Sequence, residues 1–150
     1  MSKKNKTLIG RLESIDLPEL AIKDLQVRVD TGAKTSSLHV DNIKKKVIDG
    51  VHSVVFDIHP DVHNVDTIAQ CSAPISDMRK VKSSNGTSEQ RYVIQTLAIL
   101  GGETWPIEIT LTDRSDMNYL MLFGREAIGT KFLVDPSRVF LGVKDIKVNL

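Results

Sequence analysis

Apolar residues recur at every second position through Leu25, Val27 and Val29, and again through Ile107, Ile109 and Leu111. That is the period of a strand with one face buried and one wet. In the second run Glu108, Thr110 and Thr112 fall on the wet side. Turn signals cut the alternation at short intervals. Asp49-Gly50, Asn85-Gly86 and Gly101-Gly102 each stand between two strand-like runs, and such pairs supply the positive φ angles of tight hairpins. The pattern predicts strands over residues 7–12, 25–29, 37–40, 46–48, 51–58, 79–84, 88–100 and 105–112. Residues 119–123 form a continuous apolar run suited to a fully buried strand, and 125–130 suit a short helix. Late strands are expected over 132–134 and 139–143, separated by Asp135-Pro136. Between His59 and Pro74 the alternation fades, which predicts a loop or insertion. The sum is an all-β barrel or sandwich with one short helix, and no internal repeat.

Composition adds little and excludes more. The chain has 150 residues, 41% hydrophobic and 26% charged, as expected of one globular domain spanning 1–150 with a substantial core. A formal net charge of +1 gives no reason to expect nucleic acid or a membrane as partner. The basic clusters Lys3-Lys4 with Lys6, and Lys44-Lys45-Lys46, are short enough to be solvated surface. The single cysteine, Cys71, excludes an intramolecular disulfide. No run approaches the roughly 18 apolar residues of a membrane span, and the polar N-terminus has no apolar stretch of signal-peptide length. A cytoplasmic location is expected.

The candidate chemistry begins where the first alternating run ends. Asp30-Thr31-Gly32-Ala33 places a carboxylate at the tip of a strand, in a Thr-Gly turn. Asp30 is suited to take a proton from water, the Thr31 hydroxyl to brace the loop, and Gly32 to allow close backbone approach and turn dihedrals that a Cβ resists. Downstream, Leu122-Phe123-Gly124-Arg125 supplies two bulky apolar residues, a glycine and the start of the helix. Between them lies a polar hairpin tip, Ser83-Ser84-Asn85-Gly86, placed where a flap would close over substrate.

Taken in order, these segments resemble a retropepsin-like aspartic peptidase domain. More narrowly, the chain is similar to a bacterial family described as ATP-dependent zinc proteases and associated with RimK-type ATP-grasp ligases. The narrower likeness rests on Arg28-Val29-Asp30-Thr31-Gly32-Ala33-Lys34-Thr35-Ser36-Ser37-Leu38-His39, on Val81-Lys82-Ser83-Ser84-Asn85-Gly86 with Arg91-Tyr92-Val93-Ile94, and on Trp105-Pro106-Ile107-Glu108. Leu111-Thr112-Asp113-Arg114, Leu122-Phe123-Gly124-Arg125 and Phe132-Leu133-Val134-Asp135-Pro136 continue it over nearly the whole chain. The resemblance implies a closed acid-protease barrel with a flap hairpin and one short helix after the apolar-Gly motif. It also implies a homodimer that contributes one Asp30 per subunit, because no other aspartate of the chain is followed by Thr-Gly or Ser-Gly. Leu122, Phe123 and Gly124 would pack behind the site. A peptide or protein substrate and an ATP-grasp ligase partner are implied as well.

Two departures shape the expectation. Where retropepsins commonly carry an acid that pairs with the arginine after the apolar-Gly motif, this chain has Lys34, so Arg125 needs another partner. Lys34 and Arg125 are therefore ion-pair or substrate contacts, and Lys34, Lys82 and Arg91 together would suit an acidic peptide. No metal or cofactor is expected. There is no His-Glu-x-x-His helix, Pro60 interrupts the His59–His63 spacing, and His39 and Cys71 lack an evident third ligand. The alternatives to an aspartic peptidase are a non-catalytic peptide-binding module of the same fold, beside an ATP-grasp ligase, and a zinc-dependent hydrolase.

Overall fold

A computed structural model describes residues 5–59, 68–82, 86–113 and 119–149. It is built mostly of β-strand. Sheet one has the order β12-β1-β13, with β1 (Asn5–Gly10) parallel to β12 (Phe132–Asp135) and antiparallel to β13 (Lys147–Asn149). Sheet two contains β2 (Leu12–Leu17), β3 (Ile22–Asp30), β4 (Ser36–His39), β8 (Asp77–Lys82), β9 (Ser88–Leu100), β10 (Glu103–Thr112) and β11 (Met121–Gly124). Its order is β10-β4-β11-β3-β2-β9-β8, and β9 also pairs with β10. Sheet three is β5 (Asp41–Ile48), β6 (Val51–Ile58) and β7 (Ala69–Pro74) in that order. A single α-helix, α1 (Arg125–Ile128), follows β11 directly. No helix among the described residues is long and apolar enough to cross a membrane.

The hairpins lie where the turn residues placed them. Asp49 and Gly50 have φ of 50° and 77° and join Ile48 to its cross-strand partner Val51. Gly101 and Gly102, at 58° and 79°, do the same between Leu100 and Glu103. Both are two-residue connections with positive φ at each centre, the geometry that matches strand twist. One buried cluster draws Phe56, Ile58 and Val54 from sheet three, Ile9 and Phe132 from sheet one, and Leu25, Ile94, Ile109 and Phe123 from sheet two.

Several elements differ from the alternation pattern, each for a physical reason. The stretch 59–74 contains a strand: β7 buries Cys71 and Ala73 and turns Gln70 and Ser72 outward. Its alternation is real but carried by small side chains. The first predicted strand divides at Arg11 into β1 and β2. The alternation of β2 is masked in the sequence because a carboxylate, Glu13, occupies its core face beside Ile15 and Leu17. Residues 139–143 are not a strand; they lead into a 3-10 turn at Gly142–Lys144, and the last strand comes later, at Lys147–Asn149. Thr110 and Thr112 are buried rather than wet. At that end of the strand β4 runs alongside in parallel, and the Thr110 hydroxyl donates to the Ser36 carbonyl.

Glu13 explains the C-terminal departure. It is 1% exposed, and its Oε2 accepts from the N–H groups of Gly10 (2.8 Å) and Leu141 (2.9 Å) while Oε1 accepts from Gly142 (3.0 Å). Arg11 and Phe140 add backbone bonds to Arg138 and Leu12, each 2.9 Å. The strap is thus buckled around a carboxylate instead of continuing as strand. Gly10 accommodates it, since a Cβ there would lie 2.3 Å from the Arg138 carbonyl oxygen. Removing Glu13 orphans three buried donors, each at a cost of about 1–3 kcal/mol. Glu13→Ala is therefore expected to lower stability by about 3 kcal/mol or more, read as a fall in urea midpoint at unchanged slope. Glu13→Gln should lose less, because its one amide oxygen can keep the two donors at Oε2.

Candidate active site

Strand β3 buries Leu25, Val27 and Val29 and delivers Asp30, half-buried, at its end. The chain then makes a loop over 31–35 and returns as β4, yet β3 and β4 are not neighbours. β11 lies between them, parallel to β3 and antiparallel to β4. In that register Gly124 stands opposite Asp30, Phe123 opposite Val29 and Leu122 opposite Arg28. Phe123 is fully buried and meets Trp105 edge-on at 6.0 Å; Leu122 is half-buried. Trp105 in turn donates from Nε1 to the Ala127 carbonyl, tying β10 to α1.

Gly124 is required by contact. A Cβ there would lie 2.6 Å from the Thr35 carbonyl carbon and 2.8 Å from the Ser36 nitrogen, closer than real atoms approach. The Gly124 N–H donates to the Ser36 hydroxyl at 3.0 Å. The next two residues bind the same loop: Arg125 and Glu126 donate from their backbone N–H groups to the carbonyls of Ala33 (2.8 Å) and Lys34 (3.1 Å). Lys34 itself is exposed, and the Arg125 guanidinium donates to the carbonyls of Thr31 and Gly32, both at 3.3 Å. Backbone oxygens thus supply what an acidic residue would have offered.

Within the loop the Gly32 N–H donates to Asp30 Oδ1 at 3.0 Å, and the Ala33 N–H to the Asp30 carbonyl at 3.2 Å. Gly32 is not a positive-φ residue; its constraint is proximity, since a Cβ would sit 3.3 Å from that carboxylate oxygen. Thr31 is exposed, and the bracing expected of its hydroxyl falls instead to the Gly32 N–H and to Arg125. The Thr35 hydroxyl contacts Glu126 at 3.4 Å.

Beside this loop lies a cleft of about 520 Å³ lined by Lys34, Thr35, Arg79, Lys80, Lys82 and Glu126, together with Val81 and Thr110. A smaller one of about 160 Å³ adjoins it through Thr35 and Glu126 and is walled by Gln95, Pro106 and Glu108. The larger cleft runs beneath β8, one arm of the hairpin predicted as a flap. Of the expected tip, Ser83, Ser84 and Asn85 lie outside the described residues; Gly86 has φ of 88°. Lys34 and Lys82 line the cleft as the charge pattern suggested, but Arg91 is buried and held by Glu89 at 2.6 Å. Arg79 and Lys80, which sequence reasoning missed, take its place.

Arg79 is directly opposite Arg91 across the hairpin, a like-charge pair that needs carboxylates nearby. Its Nε donates to Asp77 at 2.9 Å and its Nη2 to Glu108 at 2.5 Å. The hydrogen bond from Arg79, aided by the Met78 N–H, holds the Asp77 carboxyl below its ordinary range. A lowered carboxylate pKa stabilises above the unfolded value, and that contribution is lost as pH falls through the folded one. Arg79 and Glu108 are each more than a third exposed, and such pairs contribute only about 0.2–1 kcal/mol.

Among the described residues no group of three or more His, Cys, Asp and Glu side chains could hold a metal ion. His39 and His59 flank Asp41, at 3.8 Å and 2.9 Å, and His63 lies outside the described residues. Cys71 donates to the Leu20 carbonyl, and burial, with the nearby charge of Asp57, pushes its thiol pKa up. A thiol kept protonated is a poor ligand and nucleophile.

A β3-borne aspartate in a Thr-Gly loop, with an apolar-Gly strand inserted beside it, is the arrangement with which the chain meets known proteins. The chain belongs to the RimB-like family, retropepsin-like aspartic endopeptidase RimB, whose model matches residues 8–145. It is 46% identical over 146 residues to a protein of Shewanella pealeana named "Probable alpha-L-glutamate ligase", covering 96% of this chain and 32% of that one. A protein of the same name from Desulfotalea psychrophila is 42% identical over 132 residues, 88% of this chain and 28% of its own. The chain thus spans about a third of the length of the curated relatives it matches. A crystal structure of a Legionella pneumophila protein of unknown function (DUF785) superposes with a TM-score of 0.74 at 27% identity, over 90% of this chain and 97% of that one.

The Gly124 contact gives a direct test. Gly124→Ala must push the 35–36 backbone away from β11, and overpacking of this kind costs about 1–3 kcal/mol. A lower melting temperature is expected, with hydrogen exchange rising first at the amides of Ala33, Ser36 and Arg125. An unchanged melting temperature would show that β11 and the loop do not meet as described.

Proposed function

We propose that the chain is an aspartic endopeptidase or peptide-trimming hydrolase, a single domain acting as a homodimer in which Asp30 of each subunit forms the catalytic pair. The observation that carries this proposal is the register of Gly124 against Asp30, which fixes the carboxylate at a strand end with its loop held by Arg125. The pairings from β10 through β4, β11, β3, β2 and β9 back to β10 support a closed acid-protease barrel around that loop. The hairpin of β8 and β9, with Ser83, Ser84, Asn85 and Gly86 at its tip, is the proposed flap.

Two carboxylates brought within hydrogen-bond reach share one proton, because both cannot ionise cheaply. The ionised Asp30 takes a proton from water as its oxygen bonds to the scissile carbonyl carbon. The protonated Asp30 gives its proton to the carbonyl oxygen. As the resulting diol collapses, one of its hydroxyls returns a proton to the ionised Asp30, the C–N bond breaks, and the amine leaves with the proton held by the other Asp30, so that the pair again holds one proton. Gly32 and Ala33 shape and close the loop through their N–H groups, Thr31 contributes the carbonyl that accepts from Arg125, and Lys34 faces substrate.

The substrate class we assign is an acidic peptide, glutamate-rich in particular. Four cations, Lys34, Arg79, Lys80 and Lys82, line one cleft beside the Asp30 loop. The relatives that contain a matching region are named for glutamate ligation, which supports a functional association with an ATP-grasp ligase or its product. The second reading is a peptide-binding module without hydrolysis, favoured by the exposed Lys34 where retropepsins carry an acid.

Cleavage of a glutamate-rich peptide library should fall about a hundredfold or more in Asp30→Asn, the scale of losing a general acid–base group. Sedimentation velocity should show a dimer in the wild type. Binding that survives Asp30→Asn with no cleavage by either protein would favour the binding module, and a monomer that cleaves would remove the symmetric pair.

A further inference from the structure

Arg79 and Glu108 form a bridge over β9. Arg79 is on β8, Glu108 on β10, and both strands pair with β9 from opposite sides. The bridge stands at the seam between the two clefts: Arg79 lines the larger, Glu108 the smaller, and Thr35 and Glu126 line both. Arg79 keeps a second carboxylate, Asp77, at 2.9 Å on its Nε, so its position on β8 does not depend on Glu108. Its Nη2 edge is what Glu108 occupies.

We infer that Arg79 is the specificity-determining residue for an acidic side chain of the substrate, and that in the free protein Glu108 occupies the place the substrate carboxylate takes. This rests on the acidic-peptide assignment above and deepens it. Three features carry it. The Arg79–Glu108 pair is more than a third exposed on both sides, so an incoming carboxylate reaches it without unfolding anything. An exposed ion pair is weak, so exchanging one carboxylate for another costs little. The guanidinium is already oriented by Asp77, so the planar fork is presented to the newcomer in a fixed direction. Release of Glu108 also opens the seam, letting an extended peptide run from the larger cleft into the smaller. Lys34, Lys80 and Lys82 then attract the chain generally, while Arg79 selects a carboxylate at one position.

The test is binding, measured in an Asp30→Asn background so that hydrolysis plays no part. Fluorescein-labelled hexaglutamate and hexaglutamine are titrated by anisotropy at low salt. Glu108→Gln should tighten hexaglutamate about two- to fivefold, the scale of one exposed charge interaction, and leave hexaglutamine unchanged. Arg79→Gln should weaken hexaglutamate by a similar factor. In the Arg79→Gln background the Glu108→Gln gain should disappear, which a general loss of negative charge would not produce. Glu103→Gln, a remote acid beside Lys131 and Lys147, should have no effect. Preferential hexaglutamate binding with no coupling between Arg79 and Glu108 overturns this inference alone. Equal binding of the two peptides overturns the acidic-peptide assignment and this inference with it.

Discussion

The molecule depends on a backbone-to-backbone contact that only glycine permits. β11 must enter between β3 and β4, strands that are close in sequence but separated in the sheet. The entering strand ends against the loop that has just left Asp30, and at Gly124 no room exists for a Cβ. Once that contact is made, the neighbouring donors fall into place. The N–H groups of Gly124, Arg125 and Glu126 find Ser36, Ala33 and Lys34, and the Arg125 guanidinium reaches the carbonyls of Thr31 and Gly32. One short segment therefore satisfies much of the loop's polar backbone, which a loop at a strand end cannot do for itself. The position of the Asp30 loop is therefore tied to packing far along the chain.

The same economy appears at the other end. Glu13 on β2 gathers three N–H groups from Gly10, Leu141 and Gly142, and Phe140 adopts a positive φ of 52° within that strap. A carboxylate buried without a cation is expensive unless donors surround it. Here the donors come from a strap whose backbone has abandoned strand geometry. The strap then sets where β13 begins, and β13 closes the edge of β1. Sheet one is held by a polar interaction inside an apolar core, the opposite of the arrangement around Phe123 and Trp105.

Much of this was legible in the chain, and the failures share a cause. Hairpins at Asp49-Gly50 and Gly101-Gly102 were readable because turn dihedrals restrict residue choice locally. Asp30, Gly32 and Gly124 were readable as an ordered set because their spacing carries the crossing of β11. Elements whose core-facing residues are not bulky hydrophobes were missed: β2 with Glu13, and β7 with Cys71 and Ala73. Residues 139–143 looked like strand because their apolar side chains are there, but the Glu13 carboxylate, far away in sequence, decides their backbone. Partner choice had the same weakness. Arg91 and Arg79 are equivalent as letters and, as cross-strand partners, share one sheet face; their burial and their carboxylates, Glu89 for the buried Arg91 and Asp77 with Glu108 for Arg79 at the cleft, are what separate them.

Net charge was the least informative number of all. A total of +1 averages over the surface, whereas a ligand experiences the field within about a Debye length, roughly 8–10 Å. Within one cleft Lys34, Lys80 and Lys82 stand with Glu126, beside an Arg79 already paired by Asp77 and Glu108, a lysine cluster that the whole-chain sum conceals. The fold creates this cluster by bringing a loop residue from the Asp30 turn beside a strand some 45 residues downstream. The carboxylate is placed by the pairing of β11 with β3 and the cations of β8 by its pairing with β9, so two separate pairings bring them to neighbouring positions. In the proposed two-fold dimer a second copy would repeat both, and the proposed acidic substrate would then meet a lysine-lined cleft on each side of the two Asp30 loops.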